Sequence, residues 1–371
     1  MDRLGLYVHI PFCVRKCAYC DFSSWSGRAQ DMQRYTDALC AEIKARALET
    51  GRKTCDTVFF GGGTPSLLPE YLFEQIVHTL RAHYDFSPDV EFTVECNPGT
   101  VTDSFARTMK SCGVNRVSMG MQAAQEKLLR RLNRIHTMQD VRQAVDTLRG
   151  AGIDNLNLDL MLGLPGQTMD DMRETLREAL RLSPQHVSCY ALIVEEGTPL
   201  ARAISRGEMT LPSEDADRNM YELCRQTLRE AGFEQYEISN FALPGHACRH
   251  NENCWQRAPY LGFGCAAHSF YDETRRANPA ALDDYLLGVP PETECISRKD
   301  ALFERMMLGL RLTNGISESD FLKEFGIPLW DVYGSKLALP LRDGRLRRED
   351  GRVFLTEHGM DVMNSVLVEL M

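Results

Sequence analysis

A strand–turn–helix rhythm repeats from residue 4 to residue 192, and it limits the folds open to this chain. Short apolar runs at 4–10, 55–60, 90–95, 115–119, 154–160 and 186–192 read as strands. Between them, stretches at 30–49, 69–84, 102–112, 137–150 and 168–182 carry apolar residues at helical spacing. In the first of these, Tyr35, Leu39, Ile43 and Ala47 fall on one face. Turn residues close the strands, as in Asn97-Pro98-Gly99 and Gly163-Leu164-Pro165-Gly166. Alternation of this kind predicts an α/β fold on a parallel sheet with right-handed crossovers. Six units suit a partial (β/α)6 barrel better than a closed eightfold one, although counting elements leaves closure open.

After the sixth strand the rhythm changes. A helix is expected over 213–232, with Tyr221, Cys224, Leu228 and Ala231 near one face. Residues 233–270 are rich in Gly, His, Asn, Cys and aromatic residues, and read as an irregular segment suited to function. Helices at 298–311 and 317–325, a polar hairpin near 345–355 and a last helix over 356–370 complete a smaller, mainly helical C-terminal domain. The 371 residues, 43% of them hydrophobic, suffice for two units, placed at 1–210 and 211–371.

Between the first strand and the first helix lies a C-x3-C-x2-C run, Cys13, Cys17 and Cys20. Thiolates bind soft metals, and cysteine-ligated iron–sulfur clusters use close spacings of this kind. Three local ligands leave the fourth iron of a four-iron cluster to a distant ligand, or open to a substrate or cofactor. A structural zinc site calls for four ligands, and no second local cysteine pair is evident. Most of the other cysteines, of thirteen in all, lie in apolar or helical contexts and read as small core residues.

Parallel sheets bind ligands beyond the carboxyl ends of their strands. Gly62, Gly63 and Thr64 follow the second strand, where glycine lets backbone approach a ligand. Glu95 ends the third strand and suits an ammonium or a ribose diol, or is a solvated carboxylate. Gln122 offers donors and acceptors, and Arg134 a two-pronged carboxylate partner or a surface charge. Asp159 sits inside an apolar strand, a place where a charge needs a partner or a ligand.

Net charge is −10, which argues against a binder of nucleic-acid backbones. The opening MDRLGLYVHIPF lacks the apolar run and cleavage site of a signal peptide, and no run of 18 apolar residues occurs. With an odd cysteine count, these features point to a cytoplasmic protein.

The residues flanking the cysteines, His9-Ile10-Pro11-Phe12-Cys13 and Cys20-Asp21-Phe22, resemble the signature of radical S-adenosylmethionine (radical SAM) proteins. Within them the match is to the oxygen-independent coproporphyrinogen III oxidase-like family. This resemblance implies the partial barrel. It also implies a [4Fe–4S] cluster on Cys13, Cys17 and Cys20, whose open iron chelates the methionine end of SAM. Reduction then cleaves SAM to a 5′-deoxyadenosyl radical. Residues 61–65, GGGTP, resemble the family's GGTP motif, which contacts the SAM amino group through backbone carbonyls. Glu95, Gln122, Arg134 and Asp159 fall where the family holds SAM, and Tyr7 and Tyr19 match aromatic positions beside cluster or adenine.

Two features separate branches of the family. The oxidase carries one more cysteine two positions after the third, and here that position is Phe22. Residues 236–255 resemble a haem-chaperone segment ending in HNxxYW. His250, Asn251 and Trp255 match, and Cys254 replaces the tyrosine. Histidine and cysteine thiolate are haem ligands, so His250 and Cys254, with His246 and Cys248, form a candidate haem-facing set. Trp255 is placed to stack on a porphyrin edge. Further matches at 260–270, 303–316 and the C-terminus carry the resemblance over essentially the whole chain. At 118–124, SMGMQAA departs from the usual S-x-G-x-Q-S-F but retains Gln122.

The chaperone branch implies a protein that is not an oxidase, binds haem, a [4Fe–4S] cluster and SAM, and hands haem to a respiratory or membrane-associated acceptor protein. SAM cleavage and a homodimer stay open. The alternative is the oxidase, which converts two propionates of coproporphyrinogen III to vinyl groups with loss of carbon dioxide. A radical SAM enzyme for an unrelated substrate is a third reading. A plain iron–sulfur protein leaves Glu95, Gln122, Arg134 and Asp159 unexplained.

Overall fold

A computed structural model describes residues 4–371. Six parallel strands form its centre: β1 Gly5–Ile10, β2 Thr54–Gly62, β3 Asp85–Cys96, β4 Arg116–Gln122, β5 Asn155–Leu162 and β6 His186–Ala191. They pair in sequence order from β1 to β6. The sheet does not close. Asn240–Ala242 pairs antiparallel with β6, and Tyr260–Phe263 pairs parallel with β1, so the two outer edges face different neighbours. The result is the open, partial (β/α)6 barrel expected from the alternation.

Period-two alternation divides each strand between two environments. Leu6, Val8 and Ile10 of β1, Val58 and Phe60 of β2, Val117 and Met119 of β4, and Leu156 and Leu158 of β5 are buried in the apolar core. Tyr35, Leu39 and Ile43 of the helix Met32–Thr50 share that core, as do Leu72, Phe73 and Ile76 of Glu70–His83 and Met172 and Leu176 of Met169–Arg181. The alternate residues point inward and are mostly polar. Glu95, Arg116, Ser118, Asn157, Asp159 and Ser188 all line the barrel interior. One face of the sheet thus stabilises the fold by apolar burial, and the other is left to hold a polar ligand.

Residues 211–371, expected as a single C-terminal unit, contribute to two cores. Met220, Cys224 and Leu228 of the helix Glu214–Glu230, with Phe241, Leu261 and Phe263, join the barrel core. A second core gathers Met306, Leu310, Phe321, Leu337, Val353, Leu355 and Leu370. Around it stand the helices Arg298–Gly309, Glu318–Phe325 and Leu329–Arg342, and a three-stranded sheet built on the hairpin Leu346–Glu349 and Arg352–Leu355. The segment 233–270, expected to be irregular, holds a short helix at Arg249–Trp255 and strands that extend the barrel sheet on both sides. Among the described residues no helix is long and apolar enough to cross a membrane.

Candidate functional site

The cysteine loop is held from two directions. Ala18 donates its N–H to the Leu132 carbonyl at 2.9 Å, and its own carbonyl accepts from Leu200 N–H at 2.9 Å. Asn133 donates through Nδ2 to the Lys16 carbonyl at 2.9 Å. The loop folds over the barrel mouth, where it walls a cavity of about 450 Å³. Cys13, Cys17 and Cys20 all line that cavity, together with Tyr19, Gly62, Gly63, Glu95, Gln122, Arg134 and Asp159. Ten residues picked from the sequence for metal or cofactor binding therefore meet at one place.

Gly62 lies at φ +105°, and its backbone turns tightly against His9, where a Cβ would strike the imidazole. Its N–H donates to Glu95 Oε2 at 3.0 Å. Thr64 has a different place from Gly62 and Gly63. It is buried behind Cys13, donating to that sulfur at 3.7 Å and accepting from Asn97 Nδ2 at 2.7 Å. Asn97 also accepts from Arg134 Nη1, and Arg134 Nη2 donates to the Tyr19 hydroxyl at 3.3 Å. These bonds tie the cysteine loop to the ends of β2 and β3.

Burial pushes the Cys13 thiol above its ordinary value, with the Thr64 hydrogen bond opposing, and burial does the same to Cys20. Among the described residues no group of three or more His, Cys, Asp or Glu side chains is gathered closely enough to hold a single metal ion. Zinc, bonded at about 2.3 Å to each sulfur, needs such a gathering. A cluster that gives each thiolate its own iron does not. Cys13, Cys17 and Cys20 line one cavity and would together hold a cysteine-ligated cluster there.

Burial raises the Glu95 carboxyl to about 7, with the nearby Asp159 charge adding to it. Asp159 is also raised by burial, while hydrogen bonds from Asn157 and Ser188 oppose the rise. Asn157 Nδ2 reaches Asp159 Oδ1 at 2.8 Å and Ser118 Oγ at 2.7 Å. The cavity thus sets two carboxylates, one guanidinium from Arg134 and one amide from Gln122 around a common space. That set suits an amino acid and a ribose at the two ends of one ligand.

A second, more open cavity of about 500 Å³ adjoins the first, and Phe22 lines both. Tyr7, His9, His250, Cys254, Tyr260 and His268 line the second. Tyr7 thus lines the second cavity and not the one that holds the cysteines. Its ring lies 6.2 Å from Phe59, and His250 stacks on Phe59 at 5.1 Å. His250 Nδ1 bonds Thr57 Oγ1 at 2.9 Å, and burial lowers the imidazole to about 4, so it is neutral near pH 7. Cys254 is a neutral thiol, pushed up to about 11 by burial.

His250 and Cys254 face the second cavity, and the neighbouring Asn251 lines the first. Trp255 lines neither. Its ring packs under the Arg311 guanidinium at 4.3 Å, so the stacking partner expected to be a porphyrin is supplied within the chain. Cys248 is buried with its thiol 3.5 Å from Glu91 Oε1. Sequence reasoning missed Arg116, Ser118, Gly120 and Asn157 on the first cavity and His268 on the second. The signal for four of them is the polar alternation in RVSMGMQ and NLNLDLML.

Residues 7–179 match the family model of the Radical SAM superfamily, and residues 296–362 match that of the HemN C-terminal domain. The fold superposes on coproporphyrinogen III oxidase (HemN) from Escherichia coli, a radical SAM enzyme. The TM-score is 0.86, with 22% identity, over 100% of this chain and 90% of that one. Barrel, cysteine loop and C-terminal unit together are those of a radical SAM protein of the HemN-like fold. Sequence similarity narrows this class. Heme chaperone HemW of Bacillus subtilis is 34% identical over 97% of both chains. That of Escherichia coli is 35% identical over 99% of this chain and 98% of its own. Radical S-adenosyl methionine domain-containing protein 1, mitochondrial, of Bos taurus is 32% identical over 100% and 88%. The chain belongs to the HemW family.

Proposed function

We propose that this protein is a haem chaperone. It binds haem on a scaffold carrying a [4Fe–4S] cluster and SAM, and passes the haem to an acceptor protein. The observation that carries the reading is the adjacency of two cavities across Phe59 and Phe22. One is lined by the cysteine triad and the residues suited to SAM, the other by His250 and Cys254. Phe22 occupies the position of the oxidase's additional cysteine, and the relatives named above as heme chaperones span nearly the full chain.

Cys13, Cys17 and Cys20 would hold the cluster, and the backbone at Gly62 and Gly63, with Glu95, Gln122, Arg134 and Asp159, would orient SAM. The cluster supplies an electron to the sulfonium when it is bound and reduced. Tyr19 and Arg134 brace the loop through their mutual hydrogen bond. His250, neutral near pH 7, would offer an uncharged imidazole to the haem iron, whereas Cys254 would first have to lose a proton from a strongly raised thiol. Thr64 positions Cys13, and Tyr7 lines the second cavity, where haem would sit.

The test uses anaerobically reconstituted protein with reductant and SAM, offered haem or coproporphyrinogen III. Tight haem binding without protoporphyrinogen is the expected result. Conversion of coproporphyrinogen with matching release of 5′-deoxyadenosine would make the protein an oxidase. Single Cys13→Ala, Cys17→Ala and Cys20→Ala variants are expected to lose the visible cluster absorbance after reconstitution. An unchanged spectrum in all three would remove the cluster.

A further inference from the structure

Three histidines line the second cavity, and their rings differ in what they have left to offer a metal. His9 has nothing left. Its Nδ1 bonds the Tyr7 hydroxyl at 3.0 Å, and its Nε2 bonds the Ser23 carbonyl at 2.9 Å. A carbonyl only accepts, so Nε2 carries the proton and Nδ1 accepts from Tyr7. His250 has one nitrogen engaged, with Nδ1 on Thr57 Oγ1. His268 is exposed, and among the described residues its ring forms no hydrogen bond or ion pair. Ligation by His268 therefore breaks nothing within the protein. Ligation by His9 would cost two hydrogen bonds, each worth about 1 kcal/mol net.

The backbone beneath His268 is fixed although its ring is free. His268 opens the strand His268–Tyr271 and pairs with Ala277. A Cβ on Gly262 would stand 2.0 Å from the His268 carbonyl oxygen, so glycine alone lets the two backbones meet there. Gly262 N–H donates to Ser269 Oγ at 2.9 Å, and Asn278 N–H donates to the Ala267 carbonyl at 3.0 Å. Phe270, two residues on, is buried in the second core. The residues on both sides of His268 are held, so little backbone freedom is left to lose when its imidazole takes a ligand.

We propose that His268 is a second axial ligand of the haem iron, beside His250. The assignment rests on the chaperone reading for the presence of haem, and on the unengaged imidazole for its chemistry. Haem iron accepts axial ligands from protein side chains, and imidazole is a common one. The two bonds differ in kind. His250 is buried and His268 is exposed, so water takes the place of His268 far more easily than that of His250. His250 then carries most of the affinity. His268 sets the coordination of the iron, and its bond is the first to open when haem is handed on.

The test is electron paramagnetic resonance of ferric haem on full-length, cluster-reconstituted protein, comparing wild type with His268→Ala. The oxidised cluster is diamagnetic and leaves the haem signal clear. Two imidazoles on one iron give a low-spin signal, which is expected in wild type. His268→Ala should turn the signal high-spin while raising the dissociation constant for haem by about fivefold or less. Added imidazole should restore the low-spin signal in that variant, a rescue that a merely structural role of His268 would not show. A low-spin signal that survives His268→Ala, or a high-spin signal in wild type, overturns the second ligand and leaves the chaperone reading standing. A wild type that takes up no haem overturns that reading and the ligand with it.

Discussion

At the scale of single residues, burial sets the charge states that the candidate site works with. Glu95 has its carboxyl raised from 4.5 to about 7 by burial and by Asp159. A carboxyl raised in the folded state binds its proton more tightly there than in the unfolded chain. Its contribution to stability is present below the unfolded value and is lost as pH rises through the folded one. Cofactor-free protein is therefore expected to lose stability between these two values, and Glu95→Gln should flatten that part of the profile. Denaturant midpoints for both proteins across this range check it. A ligand with a cationic or hydroxyl group on Glu95 needs the ionised form, so SAM affinity in wild type should rise as pH passes about 7. His250 has the opposite sign. Burial lowers its imidazole from 6.5 to about 4. Stability is present above 6.5 and is lost as pH falls toward 4, and haem affinity should hold constant through 6.5, where an exposed histidine ligand would be losing it. A haem titration showing a break near 6.5 would place the ligand elsewhere. Glu95, Gln122 and Asp159 stood out in the sequence because a polar residue in or at the end of an apolar strand needs a reason, whereas Arg134, in the loop after the helix Glu126–Arg131, stood out through the family resemblance. Thr64 and Trp255 were read by neighbourhood, and their side chains turn to Cys13 and Arg311 instead.

At the scale of elements, the β4 sequence RVSMGMQ shows how much one strand decides. Gly120 leaves room on its inner face, where a Cβ would stand 2.7 Å from Arg134 Nη2 and 2.8 Å from Gln122 Nε2. Both neighbours are ends of flexible side chains, so Gly120→Ala should cost only about 1 kcal/mol of stability. Displacing both should nonetheless lower SAM affinity by about tenfold, measured by calorimetry alongside a thermal melt. A variant that binds SAM as wild type does would free Gly120 from the site. The six strands and their five crossovers were legible because two periodicities, two and about 3.6 residues, alternate along the chain. The segment 233–270 was not. The helix Arg249–Trp255 has seven residues, too few to show a period, and Glu91 from another strand accepts its first N–H groups. Tyr260–Phe263 is a strand because β1 has a free edge beside it, which local sequence does not record. The helix Leu329–Arg342, which the sequence reading did not assign, carries Gly334 and Pro340, residues that disfavour a helix interior. Buried Leu337 and Leu329 hold it in place.

At the scale of the whole molecule, the second core meets the barrel sheet through Phe270 and Tyr260 and, beside them, through a group of buried charges. Arg257 follows the helix that carries His250, and its side chain is 2% exposed. It forms ion pairs with Glu273 on the extended sheet, with Glu304 in Arg298–Gly309 at 3.1 Å and with Glu324 in Glu318–Phe325 at 3.2 Å. Its guanidinium also lies 4.4 Å from the centre of the Phe270 ring. Arg305 pairs with the same Glu324, and Arg275 with the same Glu304. Removing one member of a buried charge group leaves the others uncompensated, at a cost of about 3–5 kcal/mol. Arg257→Ala is therefore expected to loosen the second core first, because three of its acidic partners then face one another with fewer cations between them. Hydrogen exchange should accelerate across 298–325, while the cysteine loop, tied to Leu132, Asn133 and Leu200 of the barrel, keeps its cluster absorbance. His250 lies seven residues before Arg257, so haem affinity should fall in the same variant if the second core steadies the haem-facing helix. Unchanged exchange at 298–325 would mean that apolar packing alone joins the two cores. Faster exchange with unchanged haem affinity would confine the role of Arg257 to stability.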